Sequence, residues 1–246
     1  MTLAYHHTPR GKQSPYPDAP GVLFLSGFHS TMQGNKALAL EQFCQEHGMQ
    51  YTRFDYTGHG ESPGNIDTGT IEQWRDDALE ILDSVCTGSQ LLVGSSMGAW
   101  LATLVAIERS NRVSALLGIA AAPDFTHRLL EPQLSESQKQ ALNDGKTIAL
   151  DSRYDEQNPH RFQQGLIDSG KALSVLNRSV PINCPVRLLH GTADTDVPWS
   201  LSVELLEAIQ SDIAQLVLVK GADHRFSSPE QLQLITEHLS VMLALA

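Results

Sequence analysis

Three apolar residues, Leu91-Leu92-Val93, run directly into Gly94-Ser95-Ser96-Met97-Gly98, and a helical pattern follows. The pentapeptide is G-x-S-x-G in the order strand, sharp turn, helix, and that order restricts the fold more than any other stretch. A serine hydroxyl is a poor nucleophile unless it stands clear of the backbone beside a base. A strained turn between strand and helix lifts Ser96 into the open. The same turn brings the two backbones close, so the flanking positions must lack bulk, and Gly94 and Gly98 meet that need. The helix aims its N-terminal N–H groups at the point where negative charge develops in acyl transfer. Ser95 stands one place early, and only Ser96 has glycine two positions before and two after. The motif alone also arises by chance, because Gly and Ser are common, so its surroundings must decide.

The surroundings alternate. Pro9–Pro20 reads as a loop, and Gly21-Val22-Leu23-Phe24-Leu25-Ser26 as a buried parallel strand. A helix is expected from about Gln33 to Glu46, with Ala37, Leu38, Leu40 and Phe43 inward. Met49–Asp55 reads as the next strand. Thr70-Ile71-Glu72-Gln73 looks like a capping box opening a helix with Trp74, Ala78, Ile81, Leu82 and Val85 on one face. Strand 90–93 and a helix to Glu108 flank the serine, and Val113–Ala120 is another strand. The rhythm breaks after Pro123. Residues 124–180 are more polar, with helical patches near Ser135–Leu142 and Arg161–Leu173, and read as an insertion within a single domain. Residues 1–123 and 181–246 then form the core. Strand Val186–His190, a helix near Leu201–Gln210, strand Ile213–Val219 and a last helix capped by Ser228 complete it. This order argues for an α/β fold, a mostly parallel sheet with helices on both faces.

A nucleophilic serine needs a base, and the base needs an orienting acid. The chain has 10 histidines, so residue type alone does not choose among them. Position does, because ligand sites gather at the carboxyl ends of parallel strands. His190-Gly191-Thr192-Ala193-Asp194 begins at one strand end and Gly221-Ala222-Asp223-His224 at the next. Ser96, Asp194, His224 is the Ser…acid…His chain order of an α/β-hydrolase. Asp196 and Asp223 are rival acids; His190, His59 and His29 are rival histidines, expected to shape the pocket. The oxyanion donors are expected to be the backbone N–H groups of Met97 and Phe28.

The chain has 246 residues, enough for one large α/β domain. A net charge of −11 argues against nucleic acid and anionic membranes as partners. No segment reaches the length of a membrane span. Cys44, Cys86 and Cys184 are scattered without metal spacing, and the start lacks the pattern of a signal peptide. Free thiols and a cytoplasmic location are expected. Acidic charge at Asp55, Glu61 and Asp196 is expected to disfavour anionic substrates.

Gly27-Phe28-His29, Gly58-His59-Gly60-Glu61-Ser62, the Ser96 motif, His190–Pro198 and Asp223-His224-Arg225 occur in the order seen in the α/β-hydrolase superfamily, which the chain resembles over nearly its whole length. Arg53-Phe54-Asp55-Tyr56, Cys184–Gly191 and Val197-Pro198-Trp199 extend the resemblance. They point to the branch that contains mitochondrial palmitoyl-protein thioesterases and acyl-glucuronide esterases with their bacterial relatives. The resemblance implies an eight-stranded sheet, a small helical cap over 124–180, an acyl-serine intermediate at Ser96, and no metal or organic cofactor. Ser26-Gly27 stands where many members have His-Gly, and His29 is the candidate substitute. The start has no Arg-rich leader, so the mitochondrial location is not carried over.

The expected function is a serine hydrolase of carboxylic esters or thioesters working through an acyl-serine, and the resemblance implies medium-chain acyl thioesters, small molecules or S-acylated protein, as substrates. A general carboxylesterase is the near alternative. A carbon–carbon bond hydrolase and a non-catalytic binding protein on the same fold are further ones.

Overall fold

The computed structural model describes residues 2–11, 18–151 and 159–246. Residues 12–17 of the expected Pro9–Pro20 loop and 152–158 of the expected insertion lie outside the described residues. In chain order the first elements are β1 (Tyr5–Thr8), β2 (Gly21–Leu25), α1 (Asn35–Glu46), β3 (Tyr51–Phe54) and α2 (Ile71–Ser84). Then come β4 (Gln90–Ser95), α3 (Met97–Glu108), β5 (Val113–Ile119), α4 (Glu136–Asn143), β6 (Ile148–Leu150), β7 (His160–Phe162) and α5 (Gln164–Ala172). The chain finishes with β8 (Val186–Gly191), α6 (Ser200–Ala208), β9 (Ala214–Val219) and α7 (Pro229–Leu243).

The main sheet runs β1-β3-β2-β4-β5-β8-β9. Every neighbouring pair is parallel except β1 with β3. It has seven strands among the described residues, not eight. The other two, β6 and β7, pair only with each other, Ile148 opposite Phe162. β2, β3 and β4 are buried along their whole length. Helices cover both faces, so an apolar run suits these strands better than alternation. β1 lies at an edge and is half-exposed, and Tyr-His-His-Thr carries no alternation to announce it.

Two apolar layers sandwich the sheet. One holds Trp74, Ala78 and Leu82 of α2, Leu101 and Val105 of α3, and Leu205 of α6. The other holds Ala37, Leu40 and Cys44 of α1 with Ile235, Leu239 and Met242 of α7. Thr70 Oγ1 caps α2 by accepting the Gln73 N–H at 3.1 Å. Ser228 and Gln231 cap α7 reciprocally, with Pro229 in the first turn. On α1 the expected inward Leu38 is exposed and Glu41 is inward instead. Arg53 Nε and Nη2 donate to Glu41 Oε2 at 3.2 and 3.1 Å, so the buried carboxylate is paired.

Between β5 and β8 the chain makes two irregular turns (Thr126–Leu130 and Glu131–Gln133), α4, the β6–β7 hairpin and α5. Its Leu142, Phe162, Leu166 and Val175 share the apolar layer of α2 and α3. Asp124 ties the start of this segment to its end. Its carboxylate accepts the Ser174 hydroxyl at 2.5 Å and the Val175 and Leu176 N–H groups at 2.9 and 3.0 Å. The β7 strand falls where the helical patch from Arg161 was expected; the helix itself starts three residues later at Gln164.

All three cysteines are free thiols, Cys44 and Cys86 buried and Cys184 half-buried. Burial, with the Glu41 carboxylate adding, pushes the Cys44 thiol up to about 12.

Candidate active site

Ser96 sits between β4 and α3 with φ 56° and ψ −119°. A non-glycine residue with positive φ is strained and persists only where its surroundings hold it. Here the Ser96 N–H donates to the Ile119 carbonyl at 2.9 Å, and its own carbonyl accepts the Ala122 N–H at 3.2 Å. Both flanking glycines are required by contact. A Cβ on Gly94 would stand 2.3 Å from the Gly98 carbonyl oxygen, and one on Gly98 would stand 2.1 Å from the Leu25 carbonyl oxygen.

The loops after β8 and β9 bring Asp194 and His224 to this serine. His224 Nε2 lies 3.0 Å from Ser96 Oγ, across 128 residues of chain. His224 Nδ1 lies 2.8 Å from Asp194 Oδ2. The Asp194 side chain is fully buried and that of His224 is 16% exposed, so the imidazole faces the cavity and the carboxylate does not. Asp194 Oδ1 accepts the Asp196 and Val197 N–H groups at 3.0 and 2.8 Å. Burial alone would raise the Asp194 pKa. Hydrogen bonds from His190 and His224, the charge of His224 and the Val197 N–H outweigh burial and hold the carboxyl well below its usual range. Of the rival acids, Asp196 lines the cavity, and Asp223 accepts the Phe226 N–H at 3.2 Å within its own turn.

Phe28 and Met97 both line the cavity beside Ser96. Met97 opens α3, where an N–H has no acceptor within the helix. Among the described residues neither backbone N–H has a hydrogen-bond partner. A Cβ on Gly27 would stand 3.3 Å from Ser96 Cβ, so the β2 loop touches the serine directly.

The cavity has a volume of about 1130 Å³. Phe28, Met97, Phe125, Leu129, Leu130 and Val197 give it an apolar side. Its charged groups are Lys36, Arg161 and Arg225 against Asp151 and Asp196. This differs from the acidic surroundings expected from the sequence. Asp55 and Glu61 are not in the wall; Asp55 is buried and accepts the Met32 and Glu61 N–H groups at 2.7 and 2.9 Å. The Lys36 ammonium donates to the Arg225 carbonyl at 2.5 Å, and burial brings it down to about 8.

Three further histidines stand beside Phe28. The His29 ring centre is 4.4 Å from that of His160 and 6.4 Å from that of His59. Burial is the main cause that lowers His29 and His59 to about 4. An unfolded histidine titrates near 6.5. Between those values the unfolded chain binds more protons than the native one, so stability rises with pH through that window. The melting temperature is therefore expected to fall between about pH 7 and about pH 5. His59→Gln is expected to flatten that dependence in a thermal melt series; identical slopes would contradict it.

Among the described residues no group of three or more His, Cys, Asp or Glu side chains is disposed to hold a metal ion. No helix among them is long and apolar enough to cross a membrane. His190 was expected only to shape the pocket. It lies instead behind Asp194, outside the cavity wall.

The parallel sheet and the serine on its strained turn define a serine hydrolase of the α/β-hydrolase class. Residues 18–228 match the family model described as serine aminopeptidase, S33, and the chain belongs to that family. It is 39% identical over 217 residues to the mitochondrial palmitoyl-protein thioesterase ABHD10 of Bos taurus, covering 88% of this chain and 71% of the relative. The structure of alpha/beta hydrolase domain-containing protein 10 from mouse is 37% identical with a TM-score of 0.87, covering 98% of this chain and 94% of that one. A putative hydrolase from Agrobacterium vitis S4 is 33% identical with a TM-score of 0.89, covering 99% of this chain and all of that one.

Proposed function

We propose that this chain cleaves acyl thioesters and esters of medium or long acyl chains, with Ser96 as nucleophile, His224 as base and Asp194 as orienting acid. The unbroken hydrogen-bonded line from Ser96 Oγ through His224 to Asp194 carries this reading. Ser96 Oγ attacks the acyl carbon while His224 Nε2 takes its proton. The carbonyl oxygen gains negative charge and is met by the Phe28 and Met97 N–H groups. The tetrahedral intermediate collapses, the bond to the leaving sulfur or oxygen breaks, and His224 returns the proton to it. Water then repeats the sequence on the acyl-serine, releasing the acid and restoring Ser96.

The size and apolar side of the cavity support the acyl preference. Ligand pockets commonly occupy about 300–1,000 Å³, more than an acetyl group needs. Phe125, Leu129 and Leu130 belong to the segment between β5 and β8, which we read as a cap at 124–180 over the acyl chain. The name of the ABHD10 relatives, palmitoyl-protein thioesterase, favours the same class and brings S-acylated protein into it. The more polar side, with Ser30, Asn35 and Ser227, is left for the leaving group.

The test is a chain-length series of p-nitrophenyl esters and matching acyl thioesters on wild type and Leu129→Asp. Wild type is expected to peak at medium or long chains. The variant is expected to lose about tenfold or more in kcat/KM there, with little change on acetate. A wild-type peak at acetate or butyrate would leave a general esterase.

A further inference from the structure

The polar line from Ser96 does not end at Asp194. Asp194 Oδ2, which faces His224, also lies 3.0 Å from His190 Nε2. That nitrogen is 3.0 Å from the Val197 carbonyl oxygen as well. Both neighbours accept and neither donates, so Nε2 carries a proton. His190 Nδ1 lies 2.7 Å from Ser202 Oγ on α6. In the neutral ring Nδ1 is the acceptor, and the Ser202 hydroxyl donates to it. His190 and Ser202 are both completely buried.

We propose that His190 is a positioning residue that sets the basicity of His224 by sharing the Asp194 oxygen that holds it. The inference rests on the reading of Ser96, His224 and Asp194 given above. A carboxylate oxygen that accepts two N–H groups divides its charge between them. With His190 absent, Oδ2 would turn its full charge on His224 Nδ1–H. The imidazolium would be better stabilised, and His224 would hold its proton to higher pH, where it cannot serve as a base. His190 also holds the carboxylate rotamer through that same oxygen. Ser202, by donating to Nδ1, makes the Nε2–H a stronger donor.

The other charged and titratable groups around His224 remain unchanged by substitution at His190. They are Asp196 on the β8 loop, Asp223 and Arg225 on the β9 loop, Lys36 on α1 and His29 on the β2 loop. A change in the His224 titration would therefore trace to the shared oxygen.

The experiment is the pH dependence of kcat/KM on an activated ester for wild type, His190→Leu, His190→Gln and Ser202→Ala, with Ser96→Ala as control. The acid limb reports the base in the free enzyme. In His190→Leu it is expected to move upward by about half to one pH unit, the scale of one ordinary hydrogen bond. His190→Gln, whose amide N–H reaches the same oxygen, is expected to bring the limb back toward wild type. Ser202→Ala is expected to move it upward by a smaller amount, and it carries the test if His190→Leu does not fold. A limb unmoved in every folded variant, with activity lowered uniformly, would make His190 a packing residue and overturn the proposal alone. Wild-type turnover that survives Ser96→Ala would overturn the reading of Ser96, His224 and Asp194, and this inference with it.

Discussion

Replacing Ser96 by alanine is expected to lower kcat on an activated ester by about 10⁵- to 10⁶-fold, the scale of losing the nucleophile of a triad. The fold should survive. Alanine at φ 56° carries the same kind of strain as serine, and the hydrogen bonds that hold the turn are all backbone bonds. The melting temperature is then expected to stay within a few degrees of wild type. His224→Ala should cost a similar factor, and the double variant little more, because the two groups act as one unit. The residual rate would come from the Phe28 and Met97 N–H groups and from binding. Steady-state rates with a thermal melt on the same samples decide the matter. A folded Ser96→Ala variant with more than about 1% of wild-type activity would remove Ser96 from the chemistry.

Asp194→Asn is expected to cost about 10⁴-fold in kcat at neutral pH with little change in size or packing. That factor is known from the same substitution in a serine protease triad; the geometry here explains why it should apply. Asp194 accepts four donors, two backbone N–H groups on Oδ1 and two imidazole nitrogens on Oδ2. An asparagine must put an NH₂ group on one side or the other. The backbone donors cannot turn away, so the NH₂ meets the imidazoles. His224 Nδ1 must then become an acceptor, and its proton moves to Nε2, facing Ser96 Oγ. That tautomer cannot take the serine proton. Partial recovery at high pH, where hydroxide competes as the base, would agree with this account. A variant within tenfold of wild type at neutral pH would contradict it.

The site was more legible in the sequence than its surroundings. Glycines at 94 and 98 can be read because the backbones approach too closely there for a Cβ, which would stand 2.3 Å and 2.1 Å from a carbonyl oxygen. The chain order of Ser96, Asp194 and His224 was readable because parallel strands deliver their loops to one edge. His190 was not. Nothing in His-Gly-Thr-Ala-Asp says that the imidazole turns back onto the acid four residues later; that needs the curl of the β8 loop. The charge expectation failed for a similar reason. Asp55 is acidic in composition but spends its carboxylate on the backbone N–H groups of its own turn and that of Met32.

Among the elements, long apolar strands were read well and short ones poorly. β6 and β7 have three residues each, too few for a period to show. On α1, Leu38 fits an inward stripe by type, yet Glu41 takes the inward place because Arg53 on β3 reaches it. A partner on a distant strand outweighed local pattern. The expected eighth strand came from the resemblance, not from any stretch of residues, and the main sheet has seven strands among the described residues.

The burial of the thiols has a consequence for the surroundings in which such an enzyme can work. Peroxides, electrophilic aldehydes and alkylating reagents attack the thiolate form of cysteine. Cys44 is sealed on the inner face of α1 with its thiol pushed up to about 12, and burial raises Cys86 and Cys184 as well. At neutral pH almost no thiolate is offered, and the proposed nucleophile is an alcohol oxygen, which peroxides do not oxidise. A cysteine hydrolase falls silent under oxidative stress. With Ser96 as its nucleophile and Cys44 and Cys86 buried, this chain has no need of a thiolate at the reacting centre.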